Sequence, residues 1–273
     1  MRLVLSRKGF DSSQASGGCA SPILQDGQML SLPIPHASGR VRYSGLRPRG
    51  LDVGNIVSDL ARNQLIAGTL AHLDPDLEPS SRSRSAGWLP AFGQDSIAQR
   101  HLEREGVGIG DLFLFFGWFK RVELVRRRYR YVSNAPDLHV IFGWLRVGEV
   151  LRLGPDPIPE WLLDHPHAVR DCARHNTVYV SKGSGGAGVF PAFDQKLRLT
   201  EEGSLRRSVW RLPSDFLPGS RPALTYHKAP SRWTKTEDGC RLQSVAKGQE
   251  FVLNLGEYPG VHRWAEKIVS LAM

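Results

Sequence analysis

The sequence predicts an α+β fold: a mixed, strand-rich single domain with a bent antiparallel sheet or small barrel in the middle and peripheral helices. Three observations carry this expectation. From Gly108 to Leu153 the chain runs through IGDLFLFFGWF, RRRYRYV and LHVIFGWLRVGEVLRL, aromatic and β-branched stretches broken by Gly, Asn and Pro, as in strands that pair with their neighbours. Helical spacing occurs only in short pieces outside this centre. With 273 residues and 41% apolar content, the chain can bury a sizeable core unaided. No linker divides it, so residues 1–273 are read as one domain, divisible at most into 1–107, 108–155 and 156–273.

Taken in order, Met1 to Leu5 is a short buried strand that ends in the polar, Gly-rich turn SRKGFDSSQASGG, a suitable place for a site. A DG turn flanked by Ile23, Leu24, Met29 and Leu30 predicts a hairpin. Residues 52–65 place Val53, Ile56, Val57, Leu60 and Leu65 near one face of a surface helix, with Asp52 as its cap. A second short helix runs from Asp95 to Glu105 and carries Ile97 and Leu102. Beyond the aromatic centre, PIPEWLLDHPHAVRDCARHN reads as a short helix, a break at Pro166 and another helical turn, followed by the strand TVYVS and the loop KGSGGAG. LRLTEEG, SVWRLP and LTYHK are strand-like, and CRLQSVAKGQEFVLNL predicts a hairpin across Lys247 and Gly248. Val261, Trp264, Ile268 and Leu271 are spaced as a closing helix with Pro259 near its start.

Three cysteines, Cys19, Cys172 and Cys240, are too few and scattered for a disulfide framework, which fits a reducing compartment. The N-terminus lacks a signal-peptide core, and no stretch approaches the roughly 20 apolar residues of a membrane span. The expectation is a cytoplasmic protein with no membrane partner. A net charge of +9 attracts polyanions without sequence preference. Its distribution is more telling: Lys120, Arg121, Arg126, Arg127, Arg128 and Arg130 crowd one short stretch beside Trp118, Tyr129 and Tyr131. Cations interleaved with aromatic rings grip phosphates and stack on bases.

Several constellations offer chemistry. Arg7, Lys8 and Asp11 on the first turn combine a phosphate grip with a general base or metal ligand, though such turns also occur merely as solvated loops. In His72-Leu73-Asp74-Pro75-Asp76 the alternating His72, Asp74 and Asp76 suit a divalent ion or a base with its orienter; a polar loop whose acids cap the next element is the alternative. His165, His167, Cys172 and His175 match no standard zinc spacing, and contact of His165 or His167 with substrate is the better reading. His139 opens an apolar strand, as a catalyst or as a core histidine. Tyr226 and His227 form either a substrate-stacking edge or a packed strand border. Neither Gly-rich loop matches a P-loop, and no motif fixes a cofactor.

Together, SRKGFDSS, SPI, SLPIP, AHLDPDL, FGQ, GDLFLFFGWF, DLHVIFGWL, DHPH, NTVYV, GAGVF, SVWRLP and LQSVAKGQEFVL resemble the nucleotide modification associated domain, type three, from Arg2 to about Trp264. That family is grouped through association with enzymes of DNA base modification. The resemblance therefore implies a role in altering or recognising modified nucleotides, with other base-modification enzymes as partners, and supplies neither a reaction nor catalytic residues. The functional expectation is modification of a base in DNA, RNA or a nucleotide, by group transfer or hydrolysis. Lys8, Asp11, His72, Asp74, Asp76 and His139 stand nearest the chemistry, and Arg7 and the cationic run hold the polynucleotide. The alternative is a binding module or accessory subunit that presents an aromatic cage of Trp118, Trp144 or Tyr129.

Overall fold

The computed structural model describes residues 1–37, 39–168, 175–246 and 248–272. Among these, the strands in chain order are β1 (Arg2–Arg7), β2 (Ser21–Ile23), β3 (Val41–Arg42), β4 (Leu70–Ala71), β5 (Ala91–Gln94), β6 (Leu112–Val125), β7 (Arg128–Tyr131), β8 (Leu138–Arg152), β9 (Thr177–Ser181), β10 (Ala187–Val189), β11 (Val209–Leu212), β12 (Trp233–Thr236), β13 (Gly239–Gln243) and β14 (Glu250–Asn254). The α-helices are α1 (Val53–Leu60), α2 (Ser96–Arg104) and α3 (Pro259–Val269). The architecture is α+β.

The aromatic centre supplies the spine. β6 and β8 are the longest strands and pair antiparallel in a sheet ordered β14-β1-β6-β8-β9-β5, with β2, β7 and β10 added at the sides. β1 and β2 run parallel to β6, so the sheet is mixed. It stays open, so of the two predicted forms the bent sheet is present and the barrel is not. The bending has a local cause, because the β6–β8 register shifts between Phe115 and Phe116, and β8 shifts again against β9 around Gly148. Each extra residue raises the twist and re-aims the rest of the strand.

Leu112–Phe116 is buried without alternation, as expected of a strand covered on both faces. Phe113, Phe115, Phe116, Trp210, Phe251 and Ile268 share one core that unites the central sheet, the small sheet β11-β13-β12 and α3. A second core holds Phe10 and Tyr43 under the apolar face of α1.

Several expectations need correction. Asp52 caps α1 by accepting from the Asn55 amide at 3.0 Å, but the helix ends at Leu60 because Arg62 and Asn63 take left-handed φ of 50° and 61°. Leu65 is outside it, and Val53, Ile56, Val57 and Leu60 are wholly buried. On α2, Leu102 is buried while Ile97 is 78% exposed; five residues on a helix turn by about 140°. The DG turn closes with Leu24 N donating to Gln28 O, yet its second arm forms only a bridge at Met29, since Pro33 and Pro35 break the ladder. β13 and β14 are not a hairpin: they lie in different sheets, and β14 instead takes the free edge of β1. Lys247 at the expected tip is outside the described residues. LTYHK makes turns, and LRLTEEG makes only bridges to Val140 and Trp210. Glu160–Asp164 is a 3-10 turn; the expected second turn runs into residues 169–174, which together with Cys172 are outside the described part. No helix among the described residues is long and apolar enough to cross a membrane.

Two buried histidines stitch the sheets together. Trp210 of β11 donates its indole N–H to His139 Nδ1 at the head of β8, at 3.0 Å. His227 Nδ1 lies 2.9 Å from Thr225 O, and His227 Nε2 accepts from the Val245 amide at 3.2 Å. The ring is therefore neutral with its hydrogen on Nδ1. Burial pushes His227 down to about 4, against the opposing pull of the Thr225 carbonyl. Because the unfolded ring titrates near 6.5, its neutral form contributes in full above that pH and the contribution is lost as pH falls toward about 4. The unfolding free energy from urea titrations should accordingly decline between roughly pH 6.5 and 5, by at most about 1.4 kcal/mol per pH unit for this histidine. A His227→Gln variant should decline less steeply, and equal slopes for the two proteins would show that His227 is not the cause.

Candidate functional site

The C-terminal end of β1 and the adjoining middle of β6 border one cleft of about 750 Å³, where several loops converge. Lys8 and Asp11 follow β1, Trp118 lies on β6, His139 opens β8 opposite it, and Gln94 ends β5. The loop after β4 brings His72 and Asp74. The loop before β9 brings His167, and residues 205–208 together with Val245, Ala246, Gly248 and Gln249 also line the cleft.

The chemistry concentrates on Asp74, whose side chain is 4% exposed. Its Oδ1 accepts from the Gly93 amide of β5 at 2.8 Å and lies 3.4 Å from His165 Nε2. Its Oδ2 lies 3.6 Å from His167 Nε2 and 3.8 Å from His72 Nε2. Burial would raise this carboxyl, but the His165 hydrogen bond and the fields of His167, His165 and His72 outweigh it and hold Asp74 well below the usual range. The site tolerates no side chain at Gly93, where a Cβ would overlap the His167 ring. One ligand atom each from His72, Asp74 and His167 falls within 4.8 Å of the others.

The hydrogen bonds around the cluster fix two tautomers. Asn176 Nδ2 donates to His167 O at 2.9 Å, so its Oδ1 accepts from His167 Nδ1 at 2.8 Å. In the neutral ring His167 Nε2 then carries the lone pair, and in the imidazolium it carries a second hydrogen. His165 is the reverse, since its Nδ1 accepts from the His167 amide at 3.3 Å, leaving the hydrogen on Nε2 to face Asp74. His165 thus orients the carboxylate from behind while His167 faces the cleft.

The other anticipated catalytic groups divide. Asp76 does not join the cluster: its carboxylate is forked by Arg84 at 2.6 Å on both oxygens. Lys8 reaches the cleft but pairs with the buried Glu250 at 2.8 Å, which also accepts from Gln94. Asp11 sits at the mouth, half exposed, 4.0 Å from Arg207. His139 is kept neutral by burial and by Arg7 and Arg207, and with Nδ1 occupied by Trp210 its hydrogen is on Nε2. It therefore offers a donor rather than a base. His227 is fully buried, and Tyr226 packs on Phe251 and His101. His175 pairs with Glu103 at the surface. Trp144 is buried and Tyr129 lies against α1, so no cage forms with Trp118.

Among known proteins, the family described as nucleotide modification associated domain 3 matches residues 2–254. The chain belongs to that family. The match ends with β14, before α3, and so spans every residue of the cleft. No curated protein and no solved structure matches the chain.

In this family member the cationic run lies on the β6–β7 hairpin, whose two-residue tip is Arg126-Arg127 with φ of 50° and 64°. The run does not enter the cleft. It borders a depression lined by Arg62, Arg128 and Arg130, which shares Arg62 and Tyr131 with a second one holding Lys120; that in turn shares Trp118 and Asp137 with the cleft. Arg121 stacks on Phe193. Arg7 spans the 245–246 carbonyls at 2.8 Å. Sequence reasoning missed Arg206, Arg207, Gln94 and Asn176; the RR pair beside SVWRLP and the Asn opening NTVYV were the available signals.

Because Gly93 admits the His167 ring, Gly93→Ala should destabilise the fold by about 1–3 kcal/mol through overpacking. Chemical denaturation reads this directly, and unchanged stability would mean that the ring packs elsewhere.

Proposed function

We propose that the cleft receives one nucleotide of a nucleic acid strand and modifies its base by hydrolysis or group transfer. The observation that carries this reading is a series of three depressions that share lining residues, leading from Arg128 and Arg130 of the hairpin past Lys120 and Trp118 to the cleft that holds His72, Asp74 and His167. A free nucleotide needs only the cleft, whereas a strand uses the whole track.

Within the cleft the parts suit distinct portions of a nucleotide. Trp118 is held by its indole N–H to Asp137 at 2.9 Å, and Arg207 lies 4.3 Å from its ring centroid. This rigid cation and ring pair supports stacking and phosphate contact together. Arg206 lies beside it for a second phosphate contact, and His139 supplies a fixed donor to a base edge. The buried histidines and carboxylate at the opposite wall provide the reacting groups. Membership of a family named for nucleotide modification agrees with this use.

Single-stranded DNA and RNA oligonucleotides should bind with a salt slope that loses about 0.7 per phosphate contact when Arg126, Arg127, Arg128 and Arg130 are replaced by Ala. An unchanged slope would remove the hairpin from the footprint. Mass spectrometry of nucleosides from cells with and without the gene should reveal a species that depends on it and is absent with His167→Ala. Matching profiles in all three strains would overturn the catalytic reading.

A further inference from the structure

We propose that His72, Asp74 and His167 bind a first-row divalent transition ion through His72 Nε2, Asp74 Oδ2 and His167 Nε2. The spacing is the first argument. His167 Nε2 and His72 Nε2 stand 3.6 and 3.8 Å from Asp74 Oδ2, and one ligand atom from each of the three residues lies within 4.8 Å of the others. Ligands about 2.1 Å from a tetrahedral ion lie about 3.4 Å from one another, so small adjustments close the site.

The tautomers are the second argument. The Asn176 amide is locked by its two bonds to His167 and holds a hydrogen on Nδ1, so that Nε2, which faces Asp74 Oδ2, is the nitrogen able to ligate a metal. Metal-bound histidines characteristically donate their other ring N–H to an oxygen in the shell behind them, as His167 does to Asn176. Asp74 is prepared in the same way, since Gly93 and His165 occupy Oδ1 and leave Oδ2 for the ion.

The donor set selects the metal. Two imidazoles and one carboxylate suit zinc, iron, manganese or cobalt, whereas magnesium and calcium prefer oxygen ligands. Three protein ligands among the described residues leave further positions open, the arrangement of catalytic rather than structural sites. His72, Asp74 and His167 all line the cleft, so water or a substrate oxygen would reach those positions. The inference deepens the reading of the cleft as the reacting end of the groove. It is tested without nucleic acid, so its failure and that of the nucleic acid reading are separable.

The full chain, stripped with chelator and freed of any affinity tag, should be titrated calorimetrically with zinc, manganese and magnesium salts. One equivalent of zinc or manganese should bind, with magnesium far weaker. Asn176→Ala should weaken binding about 10–100-fold and Asn176→Asp should preserve it, while His72→Ala should abolish it. Each variant is compared at matched apo melting temperature, and His175→Ala serves as the unaffected control. X-ray absorption on the zinc-loaded unmutated chain needs no variant and should show nitrogen and oxygen neighbours at about 2.0–2.1 Å, imidazole among them. Absence of stoichiometric binding, a sulfur neighbour, or full affinity in His72→Ala would each overturn the proposal.

Discussion

Everything at the site depends on keeping one carboxylate charged away from water. Asp74 is buried and ionised, and an uncompensated charge of this kind costs several kcal/mol. Compensation comes from separate pieces of chain: the Gly93 amide on β5, His72 from the loop after β4, and His165 and His167 from the loop before β9. Asn176, one residue before β9, sets the His167 ring. The electrostatic demand of a single side chain therefore fixes how three strand ends meet. Gly93 belongs to this demand as much as the charged groups do, because the bare backbone lets the His167 ring approach β5.

The cleft sorts its charges by depth. Deep inside, Lys8 is neutralised by Glu250, and Glu250 also accepts from Gln94, so that cation braces β1 against β14 and β5. Nearer the mouth, Arg206 and Arg207 line the wall, with Arg207 over Trp118. Phosphates suit the outer region, where contact with water persists, and an apolar base suits the drier floor. In the proposed function the basic hairpin would lengthen the binding surface beyond one nucleotide.

How much was legible differs from residue to residue. The HLDPD and DHPH motifs both announced chemistry, but the convergence of His72 and Asp74 with His165 and His167 across nearly a hundred residues is a property of sheet order. Asp76 looked equivalent to Asp74 by alternation, and only the position of Arg84 removed it. His227 looked like a substrate contact; its bonds to Thr225 and Val245 place it in the core. The Arg run was legible as a surface feature, yet its separation from the reacting groups was not, because the hairpin projects along the sheet. The predicted hairpin across Gly248 failed for a related reason: β14 gains more by completing the edge of β1 than by pairing with β13, and local turn chemistry does not register that competition.

The sequence by itself determined the α+β class, the long central strands, the cap of α1, the closing helix and the basic, aromatic character of the β6–β7 hairpin. These come from periodicity, capping and composition, which act over a few residues. Only the tertiary structure decided which histidines share Asp74, how Asn176 orients the His167 ring, and that the depressions beside the basic hairpin adjoin the cleft at Trp118 and Asp137. Those outcomes require segments far apart in the chain to compete for the same buried carboxylate and the same strand edge, and burial is settled only when the sheet assembles around them.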